Sequence, residues 1–436
     1  MNRRELWPPT SKLTVGLLIC LLTSSIWATP IPDATKSLAA LTPADTTAIS
    51  SALQSSIEAL VQGTPRARED LIGNALIGGQ LNAGASTASP AFLSALATEL
   101  DKQLLPLAKN QNLTIRLNAA IVAARVAQYA NNAQLANTVL AFVNDQAEPV
   151  TLWGVRGARW IIPNLLGGPF ANPKHQLISA VVNAVKAHPE GIAAGWIASD
   201  AYEALGLDLN DPNRAKKVTP AMIAGTVEPM QNLLAVRADL YKTQVPANTV
   251  ADRSGMNYLV NARVWTAQNA QQQTRTVQLL SDLMSLAVQQ AVAQAQANNA
   301  SDASELLLTV SQAAKALSVA AAGAQEPALN NAVTPATAIG KTTSAEQAAS
   351  LVNAVFPAIR TSAKFKTVNE PPKIQGTKAA PPTTLAPTTM PEGGTPPPPP
   401  PPPPPPTGGG TTGLPGATIP PVPGQTGPRP APPGPR

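Results

Sequence analysis

Residues 396–406 are eleven consecutive prolines, and no other feature of this 436-residue chain restricts its folding so severely. Proline has no backbone N–H and a fixed φ, so the run can enter neither a helix interior nor a sheet ladder. Its surroundings are similar: from Pro371 to Arg436 the chain holds 26 of its 46 prolines and no Phe, Trp or Tyr. That much apolar surface cannot offset the entropy lost on ordering. The expected organisation is a folded body followed by a disordered proline-rich tail over 367–436. Within the tail the eleven prolines should form a polyproline helix of about 3.1 Å per residue, roughly 34 Å in all. Two uses fit that composition, a spacer or a ligand for a proline-recognising surface.

At the other end, Arg3, Arg4 and Lys12 precede an apolar stretch from Leu13 to Ile26, and Ala28 follows. This is the order of a secretory signal peptide, which predicts residues 1–28 as signal with cleavage after Ala28. The stretch is shorter than the roughly 20 residues a spanning helix needs. Later apolar stretches read as broken by Gln, Asn, Arg and Pro, so no stable membrane insertion is expected after cleavage. The predicted location is secreted or periplasmic. Cys20, the single cysteine, lies inside the signal, and Ile19 stands where lipidation would need a small residue. The mature chain is therefore expected to use neither disulfides nor thiolate chemistry.

The formal charge of +6 suggests an acidic partner until it is mapped. Arg3, Arg4 and Lys12 against Glu5 place +2 in the signal, and Lys373, Lys378, Arg429 and Arg436 against Glu392 place +3 in the tail. The body over 29–370 is nearly neutral. A phosphate-binding domain needs a basic stripe, so no nucleic-acid partner is expected.

Between about 48 and 365 apolar residues recur at helical spacing, as in Leu113, Leu117, Ala120, Ala124 and Ala127. Gly63-Thr64-Pro65, Asn131-Asn132, Gly167-Gly168-Pro169, His188-Pro189 and Asp211-Pro212 punctuate the segments. Thr219-Pro220 reads as a cap and first-turn proline. From Met256 to Ala297 no Gly or Pro occurs, and Gln271–Gln273, Gln289 and Gln290 are expected to face water. Glu326 to Lys341, rich in Pro, Asn and Thr, reads as a loop. The fold class is all-α.

A longer period overlies the helical one. Ile115-Arg116-Leu117-Asn118 is followed about 40 residues later by Val155-Arg156-Gly157-Ala158, and about 40 further by Ile197-Ala198-Ser199-Asp200. The segment Asp145, Glu148-Pro149, Val155-Arg156, Ala158 resembles a HEAT-type repeat, of the HEAT/armadillo class of helical-pair proteins. The resemblance covers about residues 110–210. It implies an α-solenoid of stacked helical pairs whose curved face binds other proteins, and it implies no catalytic residue. The expected layout is a linker over 29–47, a HEAT-like region over 48–215 and a long-helix bundle over 216–366, before the tail.

Residues able to carry chemistry are few. His175 and His188 are 13 positions apart, off any shared helix face with ligand spacing. Asp208 to Asn213 lacks the central Gly and closing Glu of a calcium loop and reads as a turn. Asn112-Leu113-Thr114 and Asn299-Ala300-Ser301 match the glycosylation triplet within helical stretches. No catalytic, cofactor or metal residue is assigned. The distinctive cluster is Trp153, Arg156, Arg159 and Trp160, with both tryptophans on one helix face. It can be an interface hot spot, or core packing with Arg156 paired to Asp145 or Asp200 and Arg159 solvated. The expected function is an exported, non-enzymatic helical scaffold whose partners are other proteins. The alternative is an exported hydrolase-type enzyme using carboxylates, the only plentiful acid–base groups.

Overall fold

Helix caps set the outline of this chain. In the computed structural model the described residues are 31–64, 66–79, 86–167, 172–209 and 215–373, with the backbone alone for 172–175. All regular structure among them is helical, without a strand. The predicted signal over 1–28 and the tail beyond Lys373 lie outside them.

The helices are α1 (Asp33–Lys36), α2 (Pro43–Val61), α3 (Ala67–Gly73), α4 (Pro90–Leu104) and α5 (Leu113–Ala130). There follow α6 (Ala136–Val143), α7 (Glu148–Gly167), α8 (Asn172–Ala187) and α9 (Ala194–Leu205). The rear half holds α10 (Pro220–Tyr241), α11 (Thr249–Val260), α12 (Ala262–Ala267) and α13 (Ala270–Gln296). It closes with α14 (Ala300–Gly323), α15 (Pro327–Thr337) and α16 (Ala345–Thr361). Thr42, Ser89, Thr219 and Ser344 each accept a hydrogen bond from the third backbone N–H of the helix they open. Three of these caps precede a proline in the first turn, where its missing N–H costs nothing. The Thr219-Pro220 signal is thus realised as read.

Packing follows two chains of neighbours. In one, α3 lies on α5, α5 on α7, α7 on α9, α9 on α11 and α11 on α14. In the other, α2 lies on α4, α4 on α6, α6 on α8, α8 on α10, α10 on α13 and α13 on α16. Sequential helices tie the two rows together, and a single apolar core runs between them from Ile31 to Val368. Gly154 shows how tightly α7 is seated. A Cβ there would stand 2.5 Å from the Val143 nitrogen and 2.6 Å from the Phe142 carbonyl carbon. Only glycine lets the two backbones meet, which accounts for a residue that otherwise costs a helix about 1 kcal/mol.

Several expectations change. Residues 31–47 are no linker: Ile31 is buried, and the buried Lys36 donates from Nζ to the Leu76 carbonyl at 2.8 Å. The Gly- and Pro-free stretch from Met256 is broken at Asn261 and Asn269, whose side chains cap α12 and α13 instead of continuing a helix. The Glu326–Lys341 loop contains α15, whose Leu329, Val333 and Ala336 are buried at helical spacing. Gln290 does not face water; it is buried and donates to the Tyr241 carbonyl at 2.7 Å. The packed chain runs past 367, because Val368 is buried and Asn369 N donates to Gln278 Oε1 at 2.6 Å. Finally, α14 is long and apolar enough to cross a membrane, contrary to the reading of broken later stretches, and 61% of its apolar window is buried within this fold.

The expected boundary at 215/216 does not divide the core either, because a buried ionic centre straddles it. Asp252 of α11 is fully buried and accepts four hydrogen bonds. Arg237 Nε (2.7 Å) and Tyr202 Oη (2.9 Å) reach Oδ1, while Arg237 Nη2 (3.1 Å) and Tyr241 Oη (2.9 Å) reach Oδ2. Arg237 also donates to the Ala247 carbonyl at 3.0 Å. Burial, and then the Asp252 charge, hold both tyrosines well above the usual phenol range. Burial alone would lower Arg237; the Asp252 charge and hydrogen bonds outweigh it and raise it. Gly255, one turn from Asp252, clears the Tyr202 ring, which a Cβ would meet at 2.4 Å. Replacing one member strands the other's charge away from water, so Asp252→Asn should cost about 3–5 kcal/mol in urea unfolding. The pair exchange Asp252→Leu with Arg237→Met should cost clearly less. A single exchange costing under about 1 kcal/mol would show that this centre does not hold the halves together.

Candidate functional site

The solvent side of the first row carries the tryptophan–arginine cluster. Arg156 and Arg159 leave α7 toward α9, where Asp200 and Glu203 are spaced by the same three residues. Arg156 Nε bonds Asp200 Oδ2 at 2.7 Å, and Arg159 pairs with Glu203. The guanidiniums also stack on tryptophans, with Arg156 4.8 Å from the Trp153 ring centroid and Arg159 5.3 Å from that of Trp160. Both tryptophans are half-buried against the core. Of the two partners open to Arg156, the structure selects Asp200, since Asp145 is taken by Arg116 Nε at 2.8 Å. Arg159 is bound, not simply solvated. Burial raises the Asp200 carboxyl above its ordinary value, against the hydrogen bond and charge of Arg156.

A third tryptophan, Trp196, stands four residues before Asp200 and is 60% exposed. Ile192, just ahead of α9, is 98% exposed, and Val250 at the start of α11 is also exposed. The two helix starts are joined, since Asn248 Nδ2 donates to the Gly195 carbonyl at 3.1 Å. Sequence reasoning singled out Trp153 and Trp160 and missed Trp196. The signal was present: Trp153 and Trp196 are separated by nearly the 44 residues that separate Arg156 from Asp200.

Beside this face lies a cleft of about 820 Å³ walled by the second half of α7, the end of α9 and α11. Trp160, Asn164, Glu203 and Tyr258 line it. The Tyr258 hydroxyl, pushed up to about 12 by burial, is within 2.5 Å of Thr226 Oγ1. A second groove of about 540 Å³ runs between α13 and α16, with Met284, Val352 and Phe356 in its walls.

The remaining candidates are scattered. His188 follows α8 in the expected turn, and the His175 side chain lies outside the described residues, as do residues 210–213 of the supposed turn. Asn112 and Asn299 stand at helix N-caps, not inside helices. No group of three His, Cys, Asp or Glu among the described residues could hold a metal ion. Comparison with protein families, with curated proteins and with solved structures gives no match.

One carboxylate is tuned away from the cluster. Asp282 on α13 is pushed up to about 6 by burial, while a hydrogen bond from Gln278 Nε2 at 2.7 Å works the other way. Its folded value exceeds its unfolded one, so its contribution favours folding below about pH 4 and is lost as pH rises through 6. Allowing for partial exposure, Asp282→Asn should gain about 1–2 kcal/mol over the parent between pH 4 and pH 7. Urea midpoints at both pH values test this, and a difference independent of pH would refute it.

Proposed function

We propose that this protein is an exported, non-enzymatic scaffold of α-solenoid build that binds other proteins through the outer face of α7 and α9. The single observation that carries the reading is Trp196, exposed at 60% on a face that also presents Trp153 and Arg156. Large exposed aromatics beside arginines are the residues that dominate protein interfaces. The HEAT-like reading is favoured by the two rows of neighbours and by inter-helix pairs that recur at 44, 44, 50 and 52 residues. The proline-rich tail then serves as a spacer. The hydrolase alternative has less in its favour, because Asp200 and Glu203 are each engaged by an arginine and Asp282 has no second carboxylate bonded to it among the described residues.

Affinity capture from the exported fraction tests the reading, using the intact mature chain, a form ending at Lys373, and Trp196→Ala. Partners should be retained by the first two and reduced at least tenfold in the third, with an unchanged melting temperature, as for an interface hot spot. Partners lost only with the tail would move binding off the body and overturn the assignment.

A further inference from the structure

The groove between α13 and α16 already holds part of this chain. After α16 the backbone turns onto α13, and residues 368–373 run along it without helix or turn. Gln278 grips the main chain at Asn369 twice. Its Oε1 accepts from Asn369 N at 2.6 Å, and its Nε2 donates to the Asn369 carbonyl at 3.2 Å. About three turns further along α13, Gln289 Nε2 donates to the Pro372 carbonyl at 3.1 Å. The segment thus advances in the direction of the helix, and it brings Glu370, Pro371 and Lys373 into the wall of the groove. Side-chain amides of this kind hold a segment by its backbone.

The side chains of this segment follow a period. Phe365 and Val368 are buried, and Pro371, three positions on, is half-buried. The next third position is Ile374, the only large apolar residue between Lys373 and Leu385. Three residues per turn is the repeat of an extended polyproline backbone, which rises about 3.1 Å per residue. Two residues past Pro372 is then about 6 Å, the length of about four helical residues. A continued rise brings Ile374 level with Val292 and Ala293 of α13. There the groove keeps apolar surface open, because Val292 and, across from it on α16, Ala349 and Phe356 are only partly buried.

We propose that this groove is the seat of the tail's own root, with Ile374 as the last apolar anchor, held against Val292 and Phe356. Attachment decides the occupant. Ile374 is joined directly to Lys373 in the groove wall, so its effective concentration there is at least of millimolar order, and a segment from elsewhere would have to displace it. The pattern ends with this residue, since Thr377 and Ala380 occupy the next third positions. The proposal does not depend on the interaction reading of α7 and α9. It removes the α13–α16 groove from the surfaces open to partners and fixes the point from which the proline-rich tail extends.

Limited trypsin digestion of the full-length protein tests the seat, because Lys373 and Lys378 stand on either side of it and neither is followed by proline. Cleavage tracks the population in which the bond is free of the body. Each rate is divided by that of the same bond in a free peptide of residues 366–381. Cleavage after Lys373 should then be at least about tenfold slower than after Lys378, the factor that burying one isoleucine supports. Ile374→Ser, measured against a peptide with the same change, should speed cleavage after Lys373 at least about fivefold, and Val292→Asn should do likewise. Equal rates at the two lysines would overturn the proposal. So would protection unchanged in both variants, which would assign it to the glutamine bonds alone. Protection that grows with protein concentration would place a second copy in the groove and overturn it as well.

Discussion

Taking the Asp252 carboxylate out of water is the step on which the rest of the architecture depends. An unpaired buried charge of this kind is several kcal/mol too costly to keep, so its partners must be in place whenever the chain is folded. Those partners come from two helices, Tyr202 from α9 and Arg237 and Tyr241 from α10, so that with Asp252 on α11 the centre joins three. Satisfying four hydrogen bonds at one carboxylate leaves little freedom in how these helices sit. Apolar contacts alone would tolerate a small slide or rotation; directional bonds at 2.7–3.1 Å do not. The centre therefore acts on register more than on net stability, and it does so where the shorter helices of the front meet the longer ones of the rear.

Register inside the core sets geometry outside it. Tyr202 points inward from α9, while Glu203, the next residue, points outward to Arg159. The same rotation of α9 that brings the phenol to Asp252 brings Glu203 and Asp200 to the arginines of α7. A chain with a single cysteine has no intramolecular disulfide to hold such alignments. It uses polar bridges between successive helices instead, from Arg116–Asp145 at one end to Arg253–Glu305 at 2.6 Å at the other. Singly these half-exposed pairs contribute little. Their value lies in direction, since each fixes a neighbour along the row.

What was legible in the sequence follows from the range over which its signals act. Helices, caps and the Arg156–Asp200 option are signals within one turn or one repeat, and they were readable. Helix α15 was not, because Pro327 and Pro335 look like breakers although one opens the first turn and the other lies near the end. The break at Asn261 failed for the opposite reason, since asparagine can end a helix without Gly or Pro. The Asp252 centre left no local trace at all. Its members lie 50, 15 and 11 positions away, and nothing short of the folded row brings them together. Trp196 was hidden differently: an alanine-rich helix with one tryptophan reads as core, and only the offset from Trp153 places it on the outer face.

The separation of charge between core and surface bears on what the outer face can bind. With the Arg237–Asp252 pair buried and the formal charge over 29–370 nearly balanced, the body carries little net charge of either sign. Long-range steering of a charged partner is then weak, and recognition falls to short-range contacts. Those on the outer face are Trp153 and Trp160, each stacked by an arginine, and the exposed Trp196. The buried Asp252 centre and the outer face of α7 and α9 are coupled in this sense, because the rotation of α9 that seats Tyr202 also sets where Asp200 and Glu203 meet the arginines.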